Sequence, residues 1–110
     1  MEFINEVTLQ GIVGNIRVDT FNGVKMARLS LLTNRAYTSK DGMAVIDTTW
    51  HNVVAWENPE KTDAITYLDA VSKGDKIRVT GYIHNNRYTG TDGIDRTVTE
   101  IKATTLAHVK

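Results

Sequence analysis

The chain has 110 residues, enough for one domain with a core of its own, and 41% of them are hydrophobic. It contains no cysteine, which excludes a disulfide scaffold and a thiolate metal site. Lys+Arg and Asp+Glu balance at 13 each, so no overall positive charge marks it for a polyanion; what counts is whether cations gather on one face. No apolar run is long enough to span a bilayer and no basic-then-apolar leader opens the chain, so a cytoplasmic, nucleoid-associated protein is expected.

Val7, Leu9, Ile12 and Val13 open a first strand expected to reach Val18. Gly11 and Gly14 inside it predict a bulge or bend, letting one long strand curl through two parts of a barrel. Asn22-Gly23 is a strong hairpin signal. A second strand is predicted over Val24 to Thr33, with Leu29, Leu31 and Leu32 apolar and Arg28 and Ser30 facing out. Asn34 to Met43 reads as a polar loop or loose hairpin.

Thr48 to Trp56 reads as a third strand, rich in β-branched and aromatic residues. Side chains alternate faces along a strand. Trp50, Asn52, Val54 and Trp56 therefore share one face, and His51, Val53 and Ala55 share the small apolar face that suits a core. Two indoles beside Asn52 leave two readings open. They cap the core or an oligomer interface, or they are flat surfaces on a rigid platform for bases to stack on.

Asn58-Pro59-Glu60 predicts a helix start, and Ala64, Ile65, Leu68 and Val71 follow at helical spacing up to Lys73-Gly74. Lys76 to Tyr88 alternates as a fourth strand, with Ile77, Val79, Gly81 and Ile83 facing one way. After the turn Thr89 to Gly93, a closing strand runs from Ile94 to about Val109. An all-β chain of five strands, with one helix between strands 3 and 4, has the element order of the OB-fold. That fold is a five-stranded, partly open Greek-key barrel that binds oligonucleotides or oligosaccharides.

His51, His84 and His108 lack metal-ligand spacing, and no glycine-rich phosphate loop is present. Asp41 and Asp47 read as turn and edge residues. No nucleophile has a credible base. No catalytic residue, metal or cofactor is therefore expected, and a binding module is favoured over an enzyme. Tyr37, Trp50, Trp56 and Tyr88 are the aromatics that could stack. Arg35 and Lys40 flank Tyr37, Arg87 adjoins Tyr88, and Arg96 lies in the closing strand. Rings interleaved with cations suit sequence-tolerant single-strand binding: cations follow phosphates and rings take bases.

These segments closely resemble the bacterial single-stranded DNA-binding proteins, the SSB family, over nearly the whole chain. Asn5 to Gly11 with Gly14 resembles the family's opening strand, and Ala27 to Arg35 its second. Thr49 to Trp56 is the most specific match. Tyr67-Leu68, Lys73-Gly74-Asp75, Val79-Thr80-Gly81, Arg87-Tyr88 with Gly93, and Arg96 with Thr99-Glu100-Ile101 follow in order. The resemblance implies an OB-fold, a homotetramer, and single-stranded DNA as partner in replication, recombination and repair. It carries the stacking role to Trp50, Trp56, Tyr88 and Tyr37, matches His51 to a histidine of subunit assembly, and matches Tyr67 to a helix tyrosine assigned to packing.

Departures from the family pattern are also visible. Glu57 stands where Gly is usual, Asp69 to Ser72 lengthen the helix by about one turn, and Asn85 and Asn86 stand where some members have basic residues. The family's disordered linker and acidic tail have no counterpart up to Lys110, so recruitment of partner proteins is not expected of this stretch. A dimeric OB-fold primosome accessory protein, or an OB module using the Trp face for protein contacts, are the competing readings.

Overall fold

The computed structural model describes residues 1–57 and 68–109, which hold five strands: β1 (Val7–Phe21), β2 (Val24–Thr38), β3 (Ala44–Trp56), β4 (Lys76–Thr89) and β5 (Asp95–His108). They close into a barrel in the order β1-β2-β3-β5-β4. All neighbours are antiparallel except β3 and β5, which meet in only three parallel pairs, Val53–Ala55 against Ile101–Ala103. Beyond those pairs the two strands splay apart.

β1 serves two partners, as its glycines foretold. Val7–Ile12 pairs with β4, Ile12–Phe21 pairs with β2, and the register slips between Val13 and Ile16. At Gly11 a Cβ would overlap the Leu32 carbonyl, so only glycine lets β1 cross there. Asn22 and Gly23 both take positive φ, 52° and 81°, the two-residue turn the sequence predicts. Before β1, the Asn5 side chain continues the sheet. Its Nδ2 donates to the Ile83 carbonyl (2.8 Å) and its Oδ1 accepts from the Ile83 amide (3.0 Å).

Val13, Leu29, Leu31, Val53, Val71, Ile77, Val79 and Ile101 form the core. Leu68, fully buried, packs with Ala27 and Ala55 in a second cluster. Val53, Val54 and Ala55 are all buried; Val54 keeps the face it shares with Asn52, but is covered there. Val54 is flanked by Arg28 on β2 and Lys102 on β5, so β3 is covered on both faces where β5 runs alongside. Ile83, predicted inside, is half exposed because β4 is leaving the barrel there.

The stretch read as a polar loop is mostly ladder. β2 and β3 pair without a slip from Met26–Trp56 to Thr38–Ala44, leaving a turn at residues 39–43. The outer half is polar because solvent bathes both its faces, so the apolar alternation that marks a strand is missing. β4 and β5 make a second arm ending in the same way. In each arm a glycine with φ near 80° (Gly42, 80°; Gly93, 77°) donates to residue 39 or 90 respectively, and a second backbone bond closes the turn. With two projecting arms, the radius of gyration is 16.2 Å, against about 13 Å for a compact chain of this length.

The helix predicted from Asn58, with Tyr67, falls on residues 58–67, outside those described. Among the described residues, Leu68–Ala70 is one turn of 3-10 helix, and Val71 to Lys73 are not helical. That corrects the expected helix end. The backbone is committed elsewhere: Ser72 N donates to Asp75 Oδ2 (2.8 Å), Gly74 N to Val13 O (2.8 Å), and Val13 N to Asp75 O (2.9 Å). Leu68 and Val71 are nonetheless buried, as their spacing foretold.

Candidate nucleic-acid interface

The site begins with Trp50, which stands opposite Leu32 at the middle of the β2–β3 ladder. Its indole lies over Gly14, where a Cβ would collide with the ring and with the Ser30 hydroxyl. That hydroxyl also accepts from the Asn15 amide (2.9 Å), satisfying the bulge. The β1 bulge therefore makes a seat for the indole, and 57% of Trp50 remains exposed.

Trp56 lies on the same face, 45% exposed and six residues on, about 20 Å along the strand. Sequence reasoning missed its neighbour. Phe21, at the end of β1, packs on Trp56 with centroids 6.0 Å apart and planes tilted by 48°. Phe21 is itself half exposed, so the pair is an open aromatic patch beside the Asn22-Gly23 turn. An aromatic just before a hairpin turn was visible in the sequence, but only the barrel register brings it to Trp56.

Between β3 and β5, where the strands splay, a groove opens in two connected parts that share Asn52 and Val98. One part, about 440 Å³, is bordered by Trp50, Thr97 and Thr99. The other, about 390 Å³, is bordered by Ile16, Arg28, Ser30, Val54 and Glu100. Hydroxyls and amides thus alternate with apolar walls, and the indole borders the larger part.

The remaining candidates are distributed unevenly. Tyr88 stands opposite Arg96 on the face of the β4–β5 arm that carries Asn86 and Val98, and so continues toward the groove. Arg87 points to the other face of that arm, opposite Thr97. Arg96 is held by Asp92, with Nη2 donating to Oδ2 at 2.6 Å. The Asp92 carboxyl is held below its ordinary range, mainly by the Ile94 amide and then by Arg96. Arg35 and Tyr37 lie on the face opposite Trp50, with Arg35 stacked over the Tyr37 ring at 5.7 Å. Lys40 is exposed in the arm's turn. The structure therefore groups Trp50, Trp56 and the groove, adds Phe21, and leaves Tyr37, Arg35 and Lys40 on a separate arm.

His51 is half buried on the face opposite Trp50, and its Nε2 shares a hydrogen bond of 2.9 Å with Thr33 Oγ1. Glu57, beside Trp56, is bonded into the fold. Its Oε1 accepts from the Leu68 amide (2.7 Å) and its own amide donates to Lys25 O (2.9 Å). Lys25 pairs in turn with Asp69, and that hydrogen bond raises the Lys25 pKa. Among the described residues, no cluster of His, Asp or Glu could hold a metal, and no helix is long and apolar enough to cross a membrane.

Comparison with known proteins agrees with this architecture. A protein named single-stranded DNA-binding protein in Neisseria meningitidis serogroup A is 30% identical over 102 residues, covering 91% of this chain and 56% of that protein. One of the same name in Bacteroides thetaiotaomicron is 37% identical over 103 residues, covering 89% of this chain and 61% of that protein. The chain therefore spans little more than half the length of these relatives. A solved structure titled as a Plasmodium falciparum SSB complex with ssDNA superposes with a TM-score of 0.80 at 23% identity, covering 100% of this chain and 98% of that one. That likeness fixes the fold as an OB-fold barrel. The sequence profile of the single-strand binding protein family matches residues 4–109, nearly the whole of the chain, which therefore belongs to that family.

Proposed function

We propose that residues 1–110 act as one domain that binds single-stranded DNA with little sequence preference, in replication, recombination and repair at the nucleoid. The observation that carries this reading is Trp50, a majority-exposed indole seated on Gly14 at the edge of the groove. A flat, rigid, half-open ring costs little entropy to use, and every base has a face to offer it. Trp56, Tyr88 and Tyr37 are further stacking positions in the proposal, and Arg35, Lys40, Arg87 and Arg96 its phosphate contacts. The assembly proposed is a homotetramer, with His51 at a subunit contact. The relatives' printed names support the ligand, and closed symmetric assemblies are the usual outcome for such chains.

The test is intrinsic fluorescence. Oligothymidylate is expected to quench the two tryptophans saturably, and duplex of the same length is expected to do so far less. Duplex hides its base faces from a stacking ring. Emission unchanged by oligothymidylate at micromolar protein would remove the reading and favour an OB module that contacts protein instead.

A further inference from the structure

We propose that the pocket between Arg28 and Glu100 is a base-reading subsite that accepts cytosine in preference to thymine or uracil. The inference rests on the single-strand-binding reading above and refines it: most of the interface is tolerant, and one position is not.

Glu100 is only 3% exposed, the one buried charged residue among those described. A carboxylate in such a place needs strong partners, because an uncompensated buried charge is costly. Its side chain has a single hydrogen-bond partner among the described residues, Arg28 Nη1 at 3.4 Å. Charge-assisted bonds of this type run to about 2.7–2.9 Å, and a carboxylate has roughly four acceptor sites. Glu100 therefore borders a pocket of about 390 Å³ with acceptor capacity to spare.

The donor pattern narrows the ligand. Arg28 brings a guanidinium to the same pocket, and its side chain is 58% exposed and free to adjust. An acceptor beside two parallel donors is the pattern that guanine shows to cytosine. The N4 amino group of cytosine can donate to Glu100 while its N3 and O2 accept from Arg28. Acidic side chains read cytosine through that same amino group. Thymine and uracil would instead set the O4 oxygen against a carboxylate, an unpaired repulsive contact in a buried site. A phosphate would meet the same repulsion at Glu100. Ile16, Val54 and Val98 supply apolar walls suited to the faces of a flat ring. The pocket also shares Asn52 and Val98 with the space beside Trp50, so a strand stacked on the indole passes its mouth.

The experiment compares two oligothymidylates that differ at one central position, deoxycytidine in one and deoxyuridine in the other. These bases have the same shape and differ in the group at C4 and the proton at N3. Affinities are read by tryptophan fluorescence at one salt concentration for the wild-type chain, Glu100→Gln and Arg28→Gln, each with a thermal melt. The deoxycytidine oligomer is expected to bind the wild type about tenfold more tightly, as one hydrogen bond to a charged group provides. That ratio should fall to near one in Glu100→Gln, with deoxyuridine affinity little changed. If Glu100→Gln does not fold, Arg28→Gln decides, and its ratio should also fall. A wild-type ratio near one overturns the subsite while leaving single-strand binding intact. So does a ratio that survives both substitutions. Failure of both oligomers to bind any variant or the wild type overturns the broader reading with it.

Discussion

Gly14 shows how much one missing atom decides. The residue is small because the Trp50 ring occupies the space a Cβ would take. Gly14→Ala is therefore expected to lift the indole from its seat and to cost about 1–3 kcal/mol of stability through overpacking. It should also weaken oligothymidylate binding by roughly three- to tenfold, a part of the stacking contribution. A thermal melt and a fluorescence titration on the same sample check both. Strand parity in the sequence placed Trp50, Asn52 and Trp56 on one face correctly. It placed Val54 on that face too, but could not show it buried there, because parity knows nothing of β5 lying alongside. It also could not separate Tyr37 and Arg35 from the tryptophans, since that needs the unbroken register of the β2–β3 ladder. Glu57 was legible only as a charge; its bond to the Leu68 amide depends on where the chain returns.

At the level of elements, the strands were readable wherever one face is buried. β1, with its two glycines, and the inner halves of β2 and β4 carry clear alternation. The outer arms do not, because neither face meets a core, and their polar sequence looks like loop. The 3-10 turn has a defined duty: Leu68 seals the cluster with Ala27 and Ala55. Leu68→Ala is expected to cost about 2–5 kcal/mol, read as a lowered melting temperature with the fold retained. A second device ties the segment before β4 to the end of β5. Asp75 Oδ2 accepts from the Ser72 amide and pairs with His108 Nε2 at 3.0 Å. The amide first, and His108 second, hold the Asp75 carboxyl below its ordinary value of 3.8. A depressed carboxylate stabilises the fold above its unfolded pKa, and that stability is lost as pH falls through the folded value. Asp75→Asn should thus melt earlier than wild type near pH 6. The gap should close below pH 3.8, as the native carboxyl takes up its proton. A gap independent of pH would assign the effect to packing.

For the molecule as a whole, net charge is zero and the candidate cations are scattered, with Arg96 already paired to Asp92. Salt should still weaken binding, with the logarithm of affinity falling by about 0.7 per phosphate neutralised for each unit of log salt. A shallow slope, reflecting few free cations, is expected; a flat one would remove the phosphate contacts. The proposed tetramer predicts that His51→Tyr, which replaces the partner of Thr33, shifts the mass by light scattering toward smaller species. An unchanged mass would free His51 from that role. The most direct test of the central claim, that Trp50 stacks on bases, is thermal unfolding and oligothymidylate affinity measured together on Trp50→Ala. Base–aromatic stacking contributes about 1–3 kcal/mol, so affinity should fall by about 10- to 150-fold. The melting temperature should hold, because Val53 and Ala55 pack the core from the other face of β3. A variant that melts early yet binds normally while folded would make the indole a packing residue and contradict the account.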